Sequence, residues 1–224
     1  MIVTIDGTVG SGKSTAAAGL ARRLGALHLD TGAMYRALTL KALETGADPE
    51  DAAALERLAA SSRVELNGEP GAQRVRLDGR DVTDAIRQNR ISNHSHYIAR
   101  TPGVRKVMVE KQRAFAEQGG TVVAEGRDQG TVVFPHADVK FFLDADPEVR
   151  ARRRQLELGA RGEYRSFRQV LDEVQERDWR DSTREASPLR AAPDAVCVDT
   201  TDLGIEQMIS ALADEVRRRS GDAT

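Results

Sequence analysis

A glycine-rich segment near the N-terminus carries the residue types that bind nucleotide phosphates. Residues 7–14 read GTVGSGKS and fit the pattern G-x-x-x-x-G-K-[ST]. In this pattern, backbone N–H groups at a helix N-terminus surround the phosphates, the lysine neutralises them, and the hydroxyl binds Mg²⁺. We therefore predict a nucleotide site with Ser14 as the Mg²⁺ ligand. Its residues are Gly7, Thr8, Val9, Gly10, Ser11, Gly12, Lys13, Ser14 and Thr15.

The reaction must be indicated by other residues, because the same loop serves switches, motors and kinases. A GTPase would carry N-K-x-D to recognise guanine, and the sequence contains no such tetrapeptide. Glu125 and Asp144 each follow an apolar run, as the water-positioning acid of an ATPase does, but the fit is loose. A single loop in a chain of 224 residues favours a kinase for a small substrate.

Arginine is strongly over-represented, with 28 Arg against 5 Lys at a formal net charge of -2. Coding bias toward GC also produces chains rich in Arg and Ala, so composition alone leaves the cause open. Arginine nevertheless binds phosphate bidentately, and residues 150–190 hold eleven of the 28. Transfer between two phosphates needs such charge and no general base, because the acceptor oxygen is already ionised. The distribution favours a phosphate acceptor.

Two groups of charged residues have helical spacing. Arg150, Arg153 and Arg154 follow i, i+3, i+4 and predict either a solvated helix face or part of a lid that closes over the nucleotide. A second group, at i, i+4, i+7, predicts either a surface ion pair or a site for ribose and phosphate. This second group is Arg177, Asp181 and Arg184.

The composition argues against several classes of protein. Lys and Arg (33) balance Asp and Glu (35), which gives no extended basic surface for nucleic acid or anionic membrane. The single Cys197 excludes an internal disulfide, and no Cys/His zinc pattern is present. No apolar run approaches the ~20 residues that cross a bilayer, and a signal-peptide pattern is absent. We expect a cytoplasmic protein without nucleic-acid or membrane partners.

The apolar pattern predicts a parallel sheet with an insertion. Strands at residues 2–6 and 27–30 flank a helix from Lys13 to Gly25, and a helix follows at 33–43. The next buried strand is at 121–124, about 90 residues on, where a simple crossover needs ~30. Further strands at 139–143 and 195–199 precede a C-terminal helix at 205–218.

The insertion contains its own strand signals. Val64 and Leu66, then Val75 and Leu77, alternate with polar residues, and Asn-Gly and Asp-Gly pairs separate them. This pattern predicts a small antiparallel sheet, with Val82 in a further strand. We expect Thr83 to cap a following helix, Pro102 to interrupt it, and a helix at 104–117 to close the insertion.

Four blocks of sequence together resemble bacterial cytidylate kinases. They are residues 7–15, the segment DTGAMYR at 30–36, the segment EGRDQGTVVFP at 125–135, and RDWRD at 177–181. The resemblance extends from residue 2 to about residue 212, and the second and third blocks distinguish this family from other nucleoside monophosphate kinases.

The resemblance implies a P-loop NTPase-type three-layer α/β/α fold with a five-stranded parallel sheet. It implies a core at 1–36, 104–149 and 172–219, an acceptor-binding insertion at 37–103 with the small sheet, and a short Arg-rich lid at 150–171. Residues 220–224 would form a tail. It also implies a monomer that phosphorylates CMP and dCMP with ATP and Mg²⁺.

The resemblance further assigns roles to individual residues. The catalytic residues would be Lys13, Arg127, Arg177 and Arg184, and Arg150, Arg153 and Arg154 would join the loop in binding ATP. The CMP site would consist of Thr31, Arg36, His96, Arg105, Arg127, Asp128, Arg177 and Asp181. Among these, Asp128 suits cytosine, because a carboxylate accepts from the exocyclic amine that uracil lacks.

One departure from the family pattern concerns the base. His96 stands where relatives usually have a serine that contacts it, so the preference for cytosine over uracil is open, and His96 is alternatively a surface residue. Rival acceptors are UMP, dTMP or a small non-nucleotide acid, and a nucleotide-dependent RNA-binding or regulatory protein is a further alternative. We expect Trp179, the single tryptophan, to be a packing residue.

Overall fold

The computed structural model of the chain describes residues 1–221, so residues 222–224 of the predicted tail lie outside the described part. The strands are β1 (Ile2–Gly7), β2 (Leu27–Asp30), β3 (Val64–Asn67), β4 (Arg74–Leu77), β5 (Arg80–Asp81), β6 (Val122–Glu125), β7 (Val139–Asp144) and β8 (Val196–Asp199). The helices are α1 (Lys13–Leu24), α2 (Thr31–Thr45), α3 (Ala52–Ser61), α4 (Asn89–Arg100), α5 (Pro102–Ala116), α6 (Pro147–Gly159), α7 (Phe167–Thr183) and α8 (Ile205–Ser220).

Five strands form the predicted parallel sheet, in the order β2-β6-β1-β7-β8. Central strand β1 pairs with β6 and β7, and Val3 lies opposite Val123 on one side and Val139 on the other. All three of these valines are buried, as expected for strands that helices cover on both faces. The carboxyl ends of the parallel strands therefore meet at one edge, which is where ligands bind in such sheets.

Helices cover both faces of this sheet. On one face, Leu20 of α1 and Leu212 of α8 pack against Ile5 and Phe141. The other face packs against α2, α3 and α5, through a cluster that includes Leu38, Leu55, Met108, Leu29 and Ala124. The predicted three-layer α/β/α architecture is confirmed.

The small antiparallel sheet is also confirmed, with the order β3-β4-β5. It packs on α2, where Ala37 and Leu40 contact a cluster that includes Val75 and Leu77. The turn between β4 and β5 uses Asp78 and Gly79, whose φ angles are 51° and 85°. This left-handed conformation is the one that the Asp-Gly pair predicts.

Two details of the insertion differ from the expectation. Thr83 does not cap a helix, because its hydroxyl accepts the backbone N–H of Val75 at 2.9 Å, and α4 begins only at Asn89. Helix α3 was not predicted, since Leu55 and Ala59 are its only buried residues and make a narrow apolar stripe.

Helices α6 and α7 form a hairpin beside the main sheet. Ala151 and Leu158 of α6 pack against Val170 and Val174 of α7, with Val9 of the glycine-rich loop at their edge. The predicted subdivision boundaries at 36/37, 149/150 and 171/172 lie inside α2, α6 and α7 respectively. They stay predictions.

Candidate active site

The glycine-rich loop connects β1 to the N-terminus of α1 and has a shape that only glycine permits. A Cβ atom on Gly7 would lie 1.9 Å from the carbonyl oxygen of Leu143. Gly10 and Gly12 have φ angles of 75° and 88°, in the left-handed region. The N–H groups of the loop and of the first turn of α1 therefore surround a position without intervening side chains, as phosphate binding requires.

Lys13 lies in the loop with its ammonium group buried. Its Nζ donates to the carbonyl oxygen of Thr8 and lies 3.4 Å from Ser11 Oγ. Burial lowers the pKa of Lys13 well below its usual value, and the positive charge of Arg127 lowers it further. A bound anion would counter both effects, so the site favours a polyanion.

Ser14 and Glu125 offer oxygen ligands of the kind that Mg²⁺ prefers. Ser14 Oγ donates to Glu125 Oε2 at 2.6 Å, which leaves the lone pairs of the hydroxyl oxygen unused by that bond. Within residues 1–221, no group of three or more His, Cys, Asp or Glu side chains is arranged to hold a metal ion. The free lone pairs of the Ser14 hydroxyl fit one ligand position of Mg²⁺, a cation that commonly takes its other ligands from water and substrate phosphates.

A carboxylate on α7 supports the loop from the other side. Asp178 Oδ1 accepts the N–H of Val9 at 3.2 Å, and Oδ2 pairs with Arg150. Arg150 is buried, and its guanidinium donates to the carbonyl oxygens of Ala145 at 2.8 Å and Val9 at 3.2 Å. Arg150 therefore holds the loop main chain in this structure.

The other two arginines of the predicted group, Arg153 and Arg154, have different partners. Arg153 donates to the carbonyl oxygen of Thr200 at 2.6 Å, while Arg154 donates to Glu157 at 2.8 Å and to Asn89 Oδ1 at 3.3 Å. Arg150, Arg153 and Arg154 thus have separate contacts although they share helical spacing. Their role in binding ATP stays a prediction.

A cationic cluster lies beside the loop. Arg127 Nε donates to Asp181 Oδ2 at 2.8 Å, in a partly buried ion pair between the segment after β6 and α7. Burial, together with the charge of Arg127, lowers the pKa of Arg177 to about 10. Burial acts to raise the pKa of Asp181, but Arg127 and Arg177 outweigh it and hold that pKa below its usual value. The cluster is ready to receive further negative charge.

A second ion pair lies deeper, between Arg105 of α5 and Asp128 after β6, and both side chains are buried. Arg105 Nε also donates to Ser187 Oγ at 3.2 Å, and Arg184 Nε donates to the carbonyl oxygen of Ser187 at 2.6 Å. Among the described residues, the buried Nη2 of Arg184 and the hydroxyl of Tyr35 have no hydrogen-bond partner. These two groups therefore have hydrogen-bonding capacity that the described residues do not use.

Thr31 and Arg36 lie at the start of α2, close to the same strand ends. Thr31 Oγ1 donates to the carbonyl oxygen of Glu125 at 2.6 Å, and Arg36 Nη2 lies 3.3 Å from Asp30 Oδ2. A cavity of about 350 Å³ opens here, and Ser14, Arg36 and Glu125 are part of its wall.

The remaining predicted residue, His96, is half-buried on α4. Its Nδ1 lies 2.8 Å from the carbonyl oxygen of Asn93, and its ring contacts that of Tyr97 with centroids 4.0 Å apart. Burial lowers the pKa of His96, which favours the neutral imidazole. The expectation for Trp179 is wrong, because its side chain is 65% exposed.

Sequence reasoning missed several residues that shape the site. Asp6 accepts the N–H groups of Gln129 and Gly130 at 2.9 and 2.8 Å, and burial raises its pKa to about 6. Its polar side chain within a buried strand was a usable signal. Asp178 gave no signal beyond ordinary helical spacing, and Glu125 was considered only as the acid of an ATPase.

Comparisons with known proteins give a consistent result over nearly the whole chain. The family model described as cytidylate kinase matches residues 3–218. A relative from Solibacter usitatus named cytidylate kinase is 50% identical over 221 residues, which is 98% of this chain and 93% of that protein. One of the same name from Mycobacterium avium is 48% identical over 220 residues, covering 98% and 96%.

A solved structure supports the fold alone. It is that of an uncharacterized protein from Eubacterium ventriosum, with a TM-score of 0.50 at 11% identity, covering 96% of this chain and 98% of that one. Separately, no helix within residues 1–221 combines the length and apolarity that crossing a membrane requires.

Proposed function

The chain belongs to the cytidylate kinase family, and we propose that it transfers the γ-phosphoryl group of ATP to CMP and dCMP. The observation that carries this proposal is the cluster of Lys13, Arg127 and Arg177 beside the glycine-rich loop, since two polyanions must be held together there. Burial makes this positive charge effective, because water screens it little.

The donor binds at the glycine-rich loop. Backbone N–H groups of residues 7–14 hold the phosphates, and Lys13 neutralises them. Mg²⁺, held by Ser14 and the nucleotide, would add positive charge to the phosphate oxygens. Arg153 and Arg154 would contact ATP only after leaving their present partners, so we place them in a lid at 150–171.

The acceptor phosphate binds between the loop and α7. Arg36, Arg127 and Arg177 hold it, with the hydroxyl of Thr31 nearby, and Asp181 accepts from the ribose hydroxyls. No general base is required, because the acceptor oxygen is already ionised, and transfer depends on alignment and charge. Arg184 contacts the transferring group.

The base lies beside the buried pair of Arg105 and Asp128. Asp128 accepts from the exocyclic amine of cytosine, which gives CMP its advantage over UMP. We assign His96 to the base site from its position in the family pattern, where the neutral imidazole that burial favours can accept or donate one hydrogen bond.

We further propose a cytoplasmic monomer that acts in pyrimidine nucleotide metabolism on small molecules, without nucleic-acid or membrane partners. The balanced charge of 33 basic and 35 acidic residues supports the absence of nucleic-acid and anionic-membrane partners.

The deciding experiment measures ADP release from ATP and Mg²⁺ with CMP, dCMP, UMP, AMP, dTMP and shikimate offered in parallel. We expect CMP and dCMP to stimulate ADP release most. Absence of stimulation by both would contradict the proposal, a better rate with UMP, dTMP or shikimate would identify a rival acceptor, and salt-dependent RNA binding without ADP release would favour the regulatory alternative.

A further inference from the structure

A buried series of hydrogen bonds extends from the glycine-rich loop into strand β2. Ser14 Oγ donates to Glu125 Oε2 at 2.6 Å, and Glu125 Oε1 lies 3.1 Å from Nε2 of His28. The side chains of His28 and Glu125 are each only 5% exposed. A polar imidazole at this depth has a cost unless it makes a specific interaction.

The contact with Glu125 is the interaction that explains this imidazole. Among the described residues, Nδ1 of His28 is buried and has no hydrogen-bond partner. His28 lies opposite Val123 in the sheet, at a position where an apolar side chain would pack without such a cost. Among the described residues, the carboxylate of Glu125 is therefore the hydrogen-bond partner of the ring.

Each carboxylate oxygen of Glu125 thus has one side-chain partner. With Nε2–H directed at Oε1, the carboxylate is held so that Oε2 accepts the single proton of Ser14. The lone pairs of Ser14 Oγ are then directed away from Glu125, as a bound cation requires. Outer partners of this kind orient metal ligands and raise metal affinity.

We propose that His28 is a positioning residue for the Mg²⁺ ligand Ser14 and acts through the carboxylate of Glu125. This inference deepens the proposed function. It rests on one part of that function, namely that a metal–nucleotide complex binds at the loop. In this role His28 acts on the metal site through its contact with Glu125, and its side chain also forms part of the wall of the cavity that Ser14, Arg36 and Glu125 line.

Three variants separate this role from simple packing. His28→Leu removes the donor and keeps the bulk. His28→Gln places an amide nitrogen near the position of Nε2, and therefore retains the donor. The matched control is Gln73→Ala, because Gln73 lines the same cavity and its Nε2 donates to the carbonyl oxygen of His28 at 2.7 Å, so its loss removes a contact with the same strand and leaves the imidazole and Glu125 in place.

The primary readout is Mn²⁺ binding to the full-length protein in the presence of ADP, followed by electron paramagnetic resonance. We expect His28→Leu to raise the Mn²⁺ dissociation constant about 3- to 10-fold. The effect is moderate because His28 contacts Glu125, the hydrogen-bond partner of Ser14, and does not contact Ser14 itself. His28→Gln and Gln73→Ala should stay within about twofold of the wild type. The Mg²⁺ concentration for half-maximal turnover should rise in parallel, with the KM for CMP unchanged.

Wild-type Mn²⁺ affinity in His28→Leu would overturn the inference, as would equal losses in His28→Leu and His28→Gln or in His28→Leu and Gln73→Ala. If His28→Leu does not fold, His28→Asn replaces it, since its shorter amide does not reach the position of Nε2. Mn²⁺ binding with ADP needs no acceptor. Failure of CMP to stimulate ADP release would therefore contradict the proposed function without deciding this inference.

Discussion

The two ends of the active-site cleft are built in different ways. The proposed donor end is residues 7–14, one continuous segment that would bind phosphate mainly through backbone N–H groups. The proposed acceptor end draws side chains from α2, α5, the segment after β6, and α7 with the residues that follow it. Its proposed members are Arg36, Arg105, Arg127, Asp128, Arg177, Asp181 and Arg184.

The difference concerns how each end carries its charge before a ligand binds. At the donor end, the acceptors of Lys13 within residues 1–221 are the neutral oxygens of Thr8 and Ser11, and burial keeps its pKa low. At the acceptor end, Arg127 and Arg105 already have carboxylate partners in Asp181 and Asp128. A backbone cradle is thus general for phosphates, whereas a set of paired side chains discriminates among acceptors, because an unsuitable ligand leaves buried charges unpaired.

The sharpest test of this comparison is Lys13→Ala at the donor end. We expect kcat to fall about 10²- to 10³-fold, because a preorganised charge at the reacting phosphates is lost. The KM for CMP should change little. Steady-state kinetics with both substrates measure these effects. The control is Lys41→Ala, because the ammonium group of Lys41 pairs with Asp78, outside the glycine-rich loop. If Lys13→Ala raised the KM for CMP and left kcat unchanged, Lys13 would belong to the acceptor end, and the comparison between the two ends would be wrong.

At the acceptor end, Arg127→Ala should lower kcat/KM for CMP about 10²-fold, because it removes a phosphate ligand and leaves Asp181 without its partner. The KM for ATP should stay nearly constant. Arg180→Ala is the control, since Arg180 lies beside Asp181 on α7 and pairs with the exposed Glu176. A larger effect on ATP than on CMP would move Arg127 out of the acceptor end.

Asp128→Asn tests whether the acceptor end selects the base. Asn keeps the size of the side chain but adds an amide N–H donor. Uracil has a carbonyl oxygen where cytosine has its exocyclic amine, and that oxygen can accept from this donor. We expect the ratio of kcat/KM for CMP to that for UMP to fall about tenfold. Parallel assays with both monophosphates measure the ratio, and Asp172→Asn on the surface of α7 is the control. An unchanged ratio would remove Asp128 from the base site.

The smallest effect is expected for His96→Ser. Its Nδ1 is already paired with Asn93 and its ring rests on Tyr97, so the CMP/UMP ratio should change less than about threefold. Because burial lowers the pKa of His96, the imidazole stays neutral above pH 7, and the KM for CMP should be independent of pH between 7 and 8 in both proteins. A large loss of CMP preference would add His96 to the residues that read the base.

Much of the architecture could be predicted from the sequence. Alternation with a period of two and the Asp-Gly turn were sufficient for the small sheet, and apolar runs were sufficient for the parallel one. The Asn-Gly pair was misleading, because β3 and β4 are joined by residues 68–73 and not by a two-residue turn. Two expectations were wrong because the sequence did not indicate the surroundings of the side chain. The hydroxyl of Thr83 accepts from Val75 in the neighbouring strand, and Trp179 lies on the exposed side of α7.

The sequence by itself determined the donor end. Its chemistry depends on backbone conformation, and glycines at fixed spacing specify that conformation within a few residues. Only the tertiary structure decided which side chain each carboxylate pairs with. Arg127 and its partner Asp181 are 54 residues apart, and Ser14 and its partner Glu125 are 111 residues apart. Such pairs are set by the packing of α7 and β6 around the loop, because side chains distant in sequence interact only after the fold brings them within reach.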